Sequence, residues 1–135
     1  MELRVSEVET TRSKHLPMQE TLIMPIGDIQ YGSAECDFDR FKAHIKWGVD
    51  NGAYFIGMGD YVDFGSPSNR ARLKALIAED NLYDTAVDVL DGAAAEHLEK
   101  LQEVLAPTKG RWLGLVEGHH FWEFDDGSTS DTRLC

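Results

Sequence analysis

The sequence predicts an α/β fold with a short parallel sheet. Three features lead there: three short apolar runs that each end at a glycine, helical periodicity between them, and short connections. Thr21 to Ile26 is the first apolar run, closed by Gly27, and reads as a buried strand. Phe38, Phe41, Ile45, Gly48 and Val49 then recur at spacings of three and four, marking an amphipathic helix that Asn51-Gly52 stops. Ala53 to Met58 is the second strand, again ending in glycine. Ser66-Pro67 offers an N-cap followed by proline at the first helical position, and Leu73, Leu76 and Ile77 give the following helix an apolar stripe. Leu82 to Leu105 carries Val87, Leu90, Ala94, Leu98 and Leu101 at helical spacing, with Pro107 behind it. Trp112 to Val116 is the third strand and runs into Gly118. Strand, helix, strand, helix, strand is the order of right-handed crossovers onto a parallel sheet covered by helices.

Composition narrows the function classes. Of 135 residues, 42% are hydrophobic and 27% charged, the balance of a folded domain that needs no disulfide or metal staple. Thirteen Lys+Arg against 24 Asp+Glu leave a net charge of -11, which repels phosphate backbones and anionic lipid heads. Nucleic-acid and membrane-surface binding are therefore disfavoured. Apolar runs such as Leu22 to Ile26 are far shorter than a membrane span, which takes roughly 20 residues. The stretch from Met1 to Leu16 carries no apolar segment of the secretory kind, and Cys36 and Cys135 make no disulfide framework. A reducing cytoplasm is the expected compartment.

The polar residues at the strand ends carry the functional signal. Strand one gives Gly27-Asp28-Ile29-Gln30, strand two gives Gly59-Asp60-Tyr61-Val62-Asp63, and strand three gives Gly118-His119-His120. In an open parallel sheet all C-terminal strand ends lie along one edge, so these residues are expected to converge in one crevice. Carboxylates and imidazoles are ligands for divalent transition metals such as Mn, Fe or Zn, and carboxylates from several strand ends can share two ions. Asp60, on the middle motif, is the natural bridging candidate.

These residues resemble the calcineurin-like metallophosphoesterases, whose motifs run D-x-H, G-D-x-x-D, G-N-H-[D/E], a lone His and a final G-H-x-H. Gly59-Asp60-Tyr61-Val62-Asp63 matches the second motif in full, and the others match in order and strand-end placement. The resemblance spans about Thr21 to Glu123 and covers the N-terminal half of that family's domain. It implies a layered α/β sandwich, of which this chain supplies the parallel-sheet half. It implies that Asp28 is a ligand of a first metal, that Asp60 bridges two, and that His119 is a ligand of the second. It further implies that His120 is the catalytic histidine and that Asp63 holds it as a dyad. Gln30 stands at the position of a metal-binding His, where a neutral amide oxygen is the weaker ligand, and His119 stands where the family has Asn. The implied chemistry is hydrolysis of a phosphomonoester or phosphodiester by a metal-bound hydroxide.

No histidine follows His120, so the family's last two motifs are absent. The expectation is an N-terminal extension of unassigned structure over residues 1–19 and a partial domain over residues 20–135, with the site completed by a missing C-terminal half or another chain. A truncated reading frame, an expression fragment and a split protein are all compatible with this. Two other readings stand beside the phosphoesterase: an inactive metal-binding or partner-binding fragment, and a nucleic-acid phosphodiesterase whose basic groove lies elsewhere. Away from the motifs, His44 and His97 read as exposed or boundary residues of helices. Phe121, Trp122 and Phe124 read as cover for the core beneath the site. Asp125-Asp126 reads as a solvated loop, and Trp47 and Trp112 as core.

Overall fold

The computed structural model describes residues 16–64, 67–79 and 84–134. Ser66, Leu82, Cys135 and residues 1–15 of the expected N-terminal extension lie outside them. The described chain is mixed α/β. Strand β1 (Ile23–Ile26), helix α1 (Phe38–Asp50), strand β2 (Tyr54–Gly57), helices α2 (Pro67–Ala78) and α3 (Asp84–Leu105), and strand β3 (Trp112–Leu115) follow in that order. Short 3-10 turns at Ala106–Thr108 and Thr132–Leu134 complete it.

The strands form one parallel sheet in the order β1-β2-β3. Ile26 pairs with Gly57 and Gly57 with Leu115, so the three C-terminal ends lie side by side. A register shift between Phe55 and Ile56 accommodates an extra residue on β3.

Helix α1 begins at Asp37, whose side chain accepts a hydrogen bond from the Arg40 N–H at 3.0 Å. The bond satisfies one of the orphan donors of the first turn. The buried positions of α1, Phe41, Ile45 and Gly48, are those of the sequence stripe. Gly48 sits there because space is short: a Cβ would stand 2.9 Å from both the Met24 sulfur and the Phe55 ring. Helix α3 buries Ala94, Leu98 and Leu101. Ile26, Phe41, Ile45, Phe55, Tyr61, Val62 and Leu101 make the main core between helices and sheet. A second cluster joins Ala94, Trp122 and Phe124, the last two serving as the core cover expected of them.

Helices α1 and α3 pack on one face of the sheet only. Ile23, Pro25 and Gly114 on the opposite face are exposed, since α1 and α3 both pack on the face of Met24, Ile26 and Phe55. Trp47 is corrected: it is 52% exposed on the outer side of α1, because Phe41, Ile45 and Gly48 already take the inward positions of that helix. No helix among the described residues is long and apolar enough to cross a membrane.

Candidate metal centre at the strand ends

Each motif begins within three residues of its strand end, and the first two are zipped together by their backbones. Asp28 N–H donates to Gly59 O, Gln30 N–H to Asp60 O, and Tyr31 N–H to Tyr61 O, each at 3.0 Å. Asp63 N–H returns to Tyr31 O at 2.9 Å. The pairing of β1 with β2 therefore continues into the site by backbone bonds, with no side chain required.

Asp28, Gln30 and Asp60 all hold positive φ, at 54°, 48° and 54°. Aspartate tolerates the left-handed region better than most residues, but a glutamine there is uncommon and strained. That all three candidate ligands of the first two motifs share this conformation marks the strand ends as a constrained site rather than a pair of relaxed turns.

The third motif meets the second at Asp60. The N–H groups of His119 and His120 both donate to Asp60 Oδ1, at 2.6 and 3.2 Å, while His119 Nδ1 lies 2.9 Å from Oδ2. Close approach of the two loops requires glycine: a Cβ on Gly118 would run into the backbone N and Oδ1 of Asp60, and one on Gly59 would stand 2.8 Å from the Gly118 Cα. Partial burial pushes the pKa of Asp60 up, but the two backbone N–H groups and the neighbouring imidazoles outweigh it and hold the carboxyl below its ordinary value.

His120 is half-buried, and its Nδ1 lies 3.0 Å from Asp63 Oδ1. An Nδ1–H donated to that carboxylate fixes the tautomer that leaves Nε2 as the working nitrogen. The two imidazoles pack edge to face at 4.3 Å between centroids.

One ligand atom each from Asp60, His119 and His120 lie within 4.8 Å of one another. One carboxylate and two imidazoles is a donor set that Zn, Fe and Mn all accept. Asp63 touches this group through His120. Asp28 stands outside it, with Oδ1 accepting a hydrogen bond from Gln30 Nε2 at 2.8 Å. Beside Asp28 a cleft of about 320 Å³ opens, walled by Gln30, Cys36, Arg40 and His44 among others. Burial, and then the charge of Asp37, push the Cys36 thiol up.

Three contributors to the site escape sequence reading. Arg70, on α2, donates to His119 O at 2.7 Å and stacks on the Phe121 ring at 4.2 Å. Asp131, buried beneath the third motif, accepts its Gly118 N–H, and the buried Ser130 bonds to the Trp122 backbone just beyond it. In sequence they look like any polar loop, and nothing in their spacing marks them. His97, a boundary residue as expected, packs its ring against Tyr31 and Phe64, each at 5.3 Å, behind the first two motifs.

Compared with protein-family models, with curated proteins and with solved structures, the chain matches none.

Proposed function

We propose that this chain carries the metal site of a phosphoester hydrolase of the calcineurin-like kind, with the strand ends of a layered α/β sandwich as its floor. The carrying observation is the convergence of Asp60, His119 and His120 at one sheet edge, with Asp63 bonded behind His120. A bound divalent ion there supplies Lewis acidity toward phosphoryl oxygens and lowers the pKa of water.

The chain's own residues do the rest. Asp60 contributes a carboxylate oriented by three donors, two from the backbone, so its geometry is fixed before any ion arrives. His119 offers its second ring nitrogen while the first is held by Asp60. His120, oriented by Asp63, stands beside the ligands Asp60 and His119 and not among them, because a ring nitrogen that carries a proton holds no ion: charged, it would hold a proton at Nε2 and pass it to the leaving oxygen of a phosphomonoester or phosphodiester. Asp28, with Gln30 bonded to it, is the candidate to hold a second ion.

A second reading, metal binding without turnover, draws on the same geometry, since Asp28 lies outside the cluster and Gln30 occupies one of its oxygens. Titration with Mn, alongside phosphomonoesterase and phosphodiesterase assays on wild type and Asp60→Asn, separates the two. Turnover that disappears in Asp60→Asn supports hydrolysis. Mn binding that disappears in that variant, without turnover in wild type, supports the second reading. Binding and turnover both unchanged in Asp60→Asn overturn the assignment.

A further inference from the structure

We infer that Asp131 is a positioning residue: with Ser130 it clamps the segment carrying His119 and His120 at both ends, so that the two N–H groups reach Asp60 together. The functional consequence rests on the metal reading above, whereas the clamp itself rests on hydrogen bonds alone.

Asp131 is 4% exposed, and its Oδ2 accepts the Gly118 N–H at 2.8 Å, immediately before the two histidines. Ser130 is fully buried and closes the other end: its Oγ accepts the Trp122 N–H at 3.1 Å, and its own N–H donates to Trp122 O at 2.8 Å. Ser130 Oγ in turn donates to Asp131 Oδ1 at 3.3 Å, joining the two halves of the clamp. Between the clamped ends lie His119 and His120, whose N–H groups are the ones bonded to Asp60.

The steric situation gives this consequence. Gly118 sits so close to Asp60 that not even a Cβ fits, so a small rotation of Gly118 changes where the next two N–H groups point. The hydrogen bond to Asp131 opposes that rotation. Burial pushes the pKa of Asp131 up, against the hydrogen bonds from Gly118 and Ser130, and the charges of Glu117 and Asp60 add to the rise. What Asp131 supplies to the clamp is an acceptor oxygen, which a neutral isostere can supply as well.

The test compares wild type, Asp131→Asn and Asp131→Ala. Amide shifts of His119 and His120 are recorded in metal-free protein, and Mn alone is then titrated by calorimetry. Asp131→Ala is expected to move both amide protons upfield and to weaken Mn binding about tenfold to a hundredfold, while Asp131→Asn stays within about threefold of wild type. Unmoved amide shifts in a folded Asp131→Ala overturn the clamp, as does an Asn variant that behaves like Ala. If the Ala variant does not fold, coupling through the hydrogen bond from the Gly118 nitrogen to the Asp131 carboxyl carbon decides in wild type, and its absence overturns the clamp. A wild type that binds no Mn overturns the metal reading, and the amide shifts still decide the clamp.

Discussion

His119 grips both oxygens of Asp60: its backbone N–H reaches Oδ1 at 2.6 Å and its imidazole Nδ1 reaches Oδ2 at 2.9 Å. The end of β3 thereby fixes a carboxylate presented by the end of β2. A ligand held this way has little conformational entropy left to lose when an ion binds.

That grip makes stability depend on acid. Because the native pKa of Asp60 lies below its ordinary value, the unfolded chain takes up the proton more readily, and stability falls as pH falls. The contribution is complete above the unfolded carboxylate value of about 3.9 and is lost as pH drops through the lower native value. Thermal melts of metal-free wild type and Asp60→Asn should therefore show the wild type losing ground to the variant as pH falls below about 4. A difference flat down to about pH 3 would show that the hydrogen bonds do not favour the ionised form.

Gly118→Ala places a methyl group against the backbone and carboxylate of Asp60, where neither neighbour can yield without breaking the site. Urea denaturation should register a loss of about 1–3 kcal/mol. Gly114→Ala, on an open part of β3 with nothing within 4 Å of the added Cβ, serves as control. It should stay within about 0.5 kcal/mol of wild type.

Removing the proton carrier tests the dyad. His120→Ala should lower kcat on an alkyl phosphate by roughly 10²–10⁴-fold and much less on an aryl phosphate whose leaving group needs no proton. Asp63→Asn should reproduce part of the loss, since it alters the tautomer that the 3.0 Å contact selects. Equal losses on both esters would take His120 out of proton transfer.

Gln30→Gly relieves a left-handed backbone and removes only an exposed hydrogen bond to Asp28. Stability should rise by about 0.5–1 kcal/mol. If Gln30 also holds an ion through its amide oxygen, the same variant binds Mn more weakly. A variant more stable and unchanged in Mn affinity would assign Gln30 to the loop alone.

The elements could be read from the chain because each rests on local rules. Apolar runs closed by glycine located β1, β2 and β3 to within two residues at each end, and the three-four spacing of Phe41, Ile45 and Gly48 marked the inward side of α1. Trp47 misled because its position on that helix, not its ring, decides burial: it faces away from the stripe its neighbours define.

Chain order and short-range periodicity were enough to put Asp28, Asp60 and His119 a few residues beyond the strand ends of one parallel sheet. Which of them meet was settled by contacts between distant segments. Asp60, His119 and His120 gather because glycine-lined contact between two loops lets backbone N–H groups reach one carboxylate, whereas Asp28 is turned to Gln30 by a left-handed backbone. Asp131 was invisible for the same reason. Whether an acid in a polar loop is solvated or buried beneath a histidine turn depends on residues far along the chain, and those contacts form only when the loop closes over Gly118 and Trp122.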